Sequence, residues 1–397
     1  MIPYGRQLIE DRDVEAVART LRSDWLTQGP EVPAFEADLA ARVNARHVIA
    51  VSSGTAALHL ACIAAGVTTG DVVVTSAITF VASANCAVYC GADVALADVD
   101  DASVTLDPNA LRETLGRLRG RTIRAVVPVD FAGQPADIEA IGAAAREIGA
   151  VVIEDACHSL GAEWRDGSGV WRRVGDGTSA DMTVFSFHPV KHVTTGEGGA
   201  IATNSGALAD RLRLLRTHGI TRDPALLRRN EGPWYYEMQA LGFNYRITDI
   251  QCALGRSQLT RLQEWVERRR SIARRYDEAF AGVQGITPVG QRQGARSAYH
   301  LYVIRLDGKA YPGGRARLFA ALRERGLGVQ VHYIPIHYQP FYADRFGFRS
   351  GDFPSAERYY AEAISLPMFP ALTDADVAQV IGTVRGAVEE LTTGVGA

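Results

Sequence analysis

Through the first two-thirds of the chain, short apolar runs rich in β-branched residues alternate with stretches of helical periodicity. That alternation restricts the fold to a largely parallel sheet covered by helices on both faces. The expected strands are 72–75, 125–129, 151–154, 182–187 and 199–203. Between them Ile138, Ile141, Ala145 and Ile148 recur at helical spacing, as do Leu208, Leu212 and Leu215 ahead of Gly219, a helix stop. Residues 249–280 read as one long, arginine-rich helix, and the turn-rich stretch 282–294 marks a boundary. Beyond it a smaller α/β unit is expected, with strands 301–306 and 329–332, a helix over 315–325, and a last helix opened by a Thr373/Asp376 capping box. The 397 residues are too many for a single core. They divide into a large α/β domain, 1–250, and a unit of connecting helix plus small C-terminal α/β domain, 251–397.

Charge narrows the function classes. Lysine and arginine number 42 against 45 acidic residues, a net charge of −3, so a nucleic-acid-coating protein is excluded. Residues 72–92 lack charge over about a membrane's width. Thr75, Ser76, Thr79, Ser83 and Asn85 nevertheless suit a buried α/β segment better than lipid. Met1 to Arg12 carries charges where a signal peptide needs an apolar core, so a cytoplasmic protein is expected. Cysteines 62, 86, 90, 157 and 252 are odd in number and scattered, which speaks against a disulfide framework or zinc knuckle. His332 and His337 are five apart across Pro335, poor spacing for a metal, and no metal is expected.

In α/β sheets chemistry gathers where strands end. Ser52-Ser53-Gly54-Thr55 follows the apolar 48–51 and opens a helix, a place for an anion or merely a cap. The run 151–154 ends on Glu154-Asp155, where Asp155 suits either a protonated heterocyclic nitrogen or the capping of the next turn. The third element decides more. Of the basic residues only Lys191 and Lys309 are lysines. Lys191 ends the apolar run 182–190 and precedes Thr195-Gly196-Glu197-Gly198-Gly199, whereas Lys309 sits in the turn Asp307-Gly308-Lys309. Schiff-base chemistry needs an amine whose proton affinity is reduced by desolvation, which points to Lys191.

Five ordered motifs carry a resemblance over nearly the whole chain: Leu26-Thr27-Gln28-Gly29-Pro30 with Phe35-Glu36, Ser53-Gly54-Thr55, Glu154-Asp155-Ala156, Ser186 to Lys191 with its glycine-rich sequel, and Gly242-Phe243-Asn244-Tyr245-Arg246. Together they resemble the DegT/DnrJ/EryC1/StrS sugar aminotransferases, enzymes of fold type I that use pyridoxal 5′-phosphate (PLP). The opening Ile2-Pro3-Tyr4 and the block 187–199 resemble the branch of pseudaminic acid biosynthesis, which aminates C4 of a UDP-linked 4-keto-6-deoxy-N-acetylhexosamine. The resemblance implies roles. Lys191 would hold the cofactor covalently and move the proton, and Asp155 would pair with its ring nitrogen. Gly54, Thr55 and Ser186 would hold its phosphate, with Phe80 stacked on the ring and His158 beside it. Asn244 would complete the phosphate site of the neighbouring subunit in a homodimer. Tyr4, Thr27, Gln28, Arg246, His332 and Tyr333 would face the substrate, with L-glutamate as donor. His192 and Cys157 stand where other residues are commoner in that family. Amination of another dTDP- or UDP-keto sugar at C3 or C4, and a non-catalytic relative, are the alternatives. A nucleotide-binding dehydrogenase finds no support, since no GxGxxG follows a strand.

Overall fold

The computed structural model describes residues 1–308, 310–311 and 313–393; Lys309 lies outside the described residues. Its centre is a seven-stranded sheet of β1 (His47–Val51), β2 (Val72–Ser76), β3 (Asp93–Ala97), β4 (Ile123–Val127), β5 (Val151–Asp155), β6 (Met182–Ser186) and β7 (Gly199–Thr203). The spatial order is β1-β7-β6-β5-β4-β2-β3, and β7 alone runs antiparallel to its neighbours. The sheet is thus α/β and mostly parallel, with every residue of β2 buried, as strands covered on both faces require.

Helices α1 (Asp11–Leu21), α2 (Glu31–Val43), α3 (Gly54–Ala64), α4 (Ala82–Tyr89), α5 (Pro108–Arg117), α6 (Ile138–Glu147), α7 (Gly206–Arg216) and α8 (Asp249–Leu259) surround it. One core joins the sheet to α3, α4 and α7 through Leu58, Leu60, Ala84 and Leu212. A second, on the other face, joins it to α2, α5, α6 and α8 through Phe35, Leu39, Leu111, Ile141 and Leu259. A third cluster lies in the C-terminal part. There α9 (Leu262–Phe280) packs Ile272, Tyr276 and Phe280 against a sheet of β8 (Ile286–Pro288), β9 (Tyr302–Leu306) and β10 (Ala363–Leu366). The helices Gly314–Glu324 and Asp374–Thr393 close this cluster, the latter entered by the reciprocal Thr373/Asp376 hydrogen bonds.

Three elements depart from expectation. The helix expected over 249–280 breaks between Leu259 and Leu262, where Arg261 turns inward. It is 4% exposed and bonds the wholly buried Asp13 at 2.5 Å, and Asp13 also receives Ser257 and Gln258. Satisfying a buried carboxylate from three positions bends the helix there. The strand expected at 329–332 is reduced to a single bridge, Gln330 to Ser365. Strand β3, unannounced by any long β-branched run, forms the sheet edge beside β2.

Candidate active site

The carboxyl ends of β1, β2, β5 and β6 converge on a cleft of about 440 Å³. Its first wall is the start of α3. Ser53 caps that helix by accepting from the Ala56 N–H at 3.0 Å, and the amides of Gly54 and Thr55 stand in the first turn, where intrahelical partners are lacking. A Cβ at position 54 would sit 3.0 Å from the Ser186 Cβ, 3.2 Å from its Oγ and 3.3 Å from the Cys157 Sγ, so glycine keeps this cradle open. Gly199 serves the same corner, since a Cβ there would lie 2.5 Å from the Ser53 carbonyl.

The second wall is the end of β5. Asp155 is 5% exposed, accepts from the Ser83 hydroxyl at 2.6 Å on Oδ2 and from the Cys157 N–H at 3.2 Å on Oδ1. His158 follows one turn on, its Nε2 3.1 Å from the Tyr333 hydroxyl and its ring 4.2 Å from that of His300. The His158 Nδ1 is buried and has no hydrogen-bond partner among the described residues. Burial, with Lys191 adding its charge, holds His158 well below the ordinary histidine range, so it is neutral at pH 7.

Lys191 enters from the loop after β6, its N–H donating to the His188 carbonyl at 2.9 Å. Burial lowers its proton affinity, while Cys157 and Asp155 pull the other way. Tyr4, Phe80, His332 and Tyr333 complete the rim, and Phe80 stands 5.9 Å from Tyr333, ring to ring. Burial and the charge of Lys191 depress His332 to about 4; its Nδ1 lies 2.8 Å from the Ser365 hydroxyl.

Tyr4, Gly54, Thr55, Phe80, Asp155, His158, Ser186, Lys191, His332 and Tyr333, widely separated in sequence, therefore line one cleft. Thr27, Gln28, Asn244 and Arg246 do not. Gln28 and Arg246 border a separate pocket of about 280 Å³ with Gly29 and Arg216, Thr27 bridges Thr248, and Asn244 is exposed beside Thr217. Asp249 gathers this second group by accepting the N–H groups of Gly29 and Glu31, both at 2.8 Å. Sequence reasoning missed Thr79, His188, Glu197 and His300 as cleft residues. His188 and Glu197 lie inside the motifs around Lys191, whereas His300 stands in no motif and reaches the cleft only through tertiary packing. Among the described residues no group of three His, Cys, Asp or Glu side chains is placed to hold a metal ion.

A family profile, the DegT/DnrJ/EryC1/StrS aminotransferase family, matches residues 7–385. The chain belongs to this family. It is 40% identical over 390 residues to the spore coat polysaccharide biosynthesis protein SpsC of Bacillus subtilis strain 168, covering 98% of this chain and 97% of that one. Among solved structures it is similar to Helicobacter pylori PseC, an aminotransferase involved in the biosynthesis of pseudoaminic acid, with a TM-score of 0.88 and 29% identity over 98% of this chain and 99% of that one. It is similar also to Spr1654 of Streptococcus pneumoniae in its PLP form, with a TM-score of 0.88 and 27% identity over 98% and 99%. The chain is thus a sugar aminotransferase, with the PLP dependence of its family. The cleft fits that group on its own chemistry. It offers a partly desolvated amine, a buried carboxylate, a helix start beside a hydroxyl in a cradle kept open by glycine, and a buried imidazole nitrogen lacking a partner among the described residues.

Proposed function

We propose that this aminotransferase carries an amino group from L-glutamate to C4 of a UDP-linked 4-keto-6-deoxy-N-acetylhexosamine, working as a cytoplasmic homodimer with shared active sites. The observation that carries this reading is the meeting of Lys191 and Asp155 in one cleft, together with the likeness to PseC over nearly the full chain. No helix among the described residues is long and apolar enough to cross a membrane.

When bound, PLP supplies an electron sink that lets nitrogen leave one carbon and join another. Lys191 tethers it and acts as the base and acid, taking the proton from the donor's Cα in one half-reaction and delivering one to the sugar's C4 in the other. The lowered proton affinity of Lys191 raises the share of free amine at any given pH. Asp155 holds the proton on the ring nitrogen, a preorganised charge where electron density arrives. Gly54 and Thr55 amides and the Ser186 hydroxyl receive the phosphate. Phe80 and neutral His158 would hold the ring, His158 from its other side or at its hydroxyl.

Tyr4, His332 and Tyr333 flank the sugar. Asn244, with Thr27, Gln28 and Arg246 near it, serves the neighbouring subunit. Two features support this trans role: their distance from the chain's own cleft, and the exposed apolar side chains of Trp234, Tyr236, Met238 and Leu241 just before the Asn244 motif. The division into a PLP-binding domain, 1–250, and a unit over 251–397 that supplies His332 and Tyr333 belongs to the same reading. Incubating purified protein with L-glutamate and the UDP-4-keto sugar, then locating the new amine by NMR, tests the substrate. Nitrogen at C4 is expected, and amination confined to C3 of a keto sugar contradicts it.

A further inference from the structure

Behind Asp155 stands a pair of buried hydroxyls. Ser83, in α4 and wholly buried, donates to Asp155 Oδ2 at 2.6 Å and lies 2.7 Å from the hydroxyl of Thr79, itself 1% exposed. A serine has one hydroxyl hydrogen and an ionised carboxylate only accepts. The hydrogen of Ser83 therefore goes to Asp155, and the short contact with Thr79 must be Thr79 donating. The order is fixed: Thr79 to Ser83 to Asp155. With the Cys157 N–H on Oδ1, each carboxylate oxygen has a protein donor, and the Cys157 thiol stands beside the group as well, while lone pairs remain for a donor inside the cleft.

The surroundings give the relay a task. Asp130 and Glu154 are buried close by, and burial pushes both carboxyls up, with neighbouring carboxylates adding to the effect. Asp155 lies among these carboxyls, and its hydroxyl and amide donors fix which way its carboxylate faces. The relay also spans the turn that bears Phe80: Ser83 N–H donates to the Phe80 carbonyl at 3.2 Å, and Thr79 precedes Phe80 directly. One hydroxyl pair thus ties the aromatic rim to the carboxylate.

We propose that Ser83, backed by Thr79, is a positioning residue that holds the Asp155 carboxylate aimed into the cleft. This rests on the reading that Asp155 pairs with the ring nitrogen of PLP. The test uses holoenzyme loaded with PLP carrying 15N in the ring, compared across wild type, Ser83→Ala, Thr79→Val, Ser76→Ala and Asp155→Ala. The readouts are the 15N resonance and PLP affinity by equilibrium dialysis.

In Ser83→Ala the carboxylate loses the donor that aims it at the ring nitrogen, so the resonance moves from the protonated toward the unprotonated range. PLP affinity falls by about 10- to 100-fold, the scale of one charge-assisted hydrogen bond. Thr79→Val moves both readouts the same way by less, and decides the matter if Ser83→Ala fails to fold. Ser76→Ala removes an equally buried hydroxyl that has no partner among the described residues and leaves both unchanged. Wild-type resonance and affinity in Ser83→Ala and Thr79→Val, with both altered in Asp155→Ala, overturns the relay while sparing the Asp155 pairing. An unaltered resonance in Asp155→Ala overturns the pairing and the relay with it.

Discussion

In the proposed mechanism two side chains divide the chemistry, and their surroundings differ accordingly. Burial disfavours the ammonium form of Lys191, while hydroxyl and amide donors hold the Asp155 carboxylate in place. The rate of PLP capture by cofactor-free enzyme should therefore rise with pH and level off below the ordinary lysine value of about 10.4; a rate still climbing through pH 10 means that the reacting amine is not desolvated. Asp155→Ala should fold and lose about a thousandfold in turnover, the usual scale for removing preorganised charge at a reacting centre; a loss below tenfold removes it from the mechanism. The sequence brings Lys191 forward by itself, and Asp155 only as one of two readings, until the cleft places both together. With two lysines in the chain, position and local pattern single out Lys191, and Glu154-Asp155 closes an unmistakable apolar strand. Ser83 was not legible, for nothing in its own neighbourhood points to a carboxylate that only folding brings within 2.6 Å.

At the scale of elements, the loop after β6 must hold Lys191 still, and His192 is its anchor. The His192 ring, 3% exposed, lies with Nε2 2.9 Å from the Ala298 carbonyl, so Nε2 carries the hydrogen of a neutral imidazole. Burial depresses its proton affinity well below the ordinary value of about 6.5. Above that pH the ring is neutral folded or unfolded. As pH falls, only the unfolded chain takes up the proton, and stability drops by up to about 1.4 kcal/mol per pH unit. His192→Gln keeps an amide donor and should lose less urea resistance than wild type between pH 7 and 5.5; equal losses contradict this. Strands β2, β4, β5, β6 and β7 were readable because burial on both faces imposes apolar runs, whereas the half-covered edge strand β3 was not. The break at Thr260-Arg261 was not, because its cause, the buried Asp13, lies 248 residues away in α1. His300 escaped notice for the same reason.

At the scale of the molecule, one chain splits the family's motifs between two places, the Lys191 cleft and the surface around Asn244 and Arg246. Two-fold pairing, covering Trp234 and Met238, would bring one chain's second group to the other's cleft. Mixing inactive Lys191→Ala with Asn244→Ala chains should then restore activity up to about a quarter of wild type, since random exchange gives half hybrid dimers with one intact site each. No recovery after exchange denies the shared site. The account stands most directly on where the cofactor is tethered. Borohydride treatment of the PLP-loaded protein, followed by mass spectrometry of the whole chain and its peptides, should find one cofactor per chain, on Lys191, and none on the Lys191→Ala chain. Attachment at Lys309, or no attachment in wild type, contradicts it.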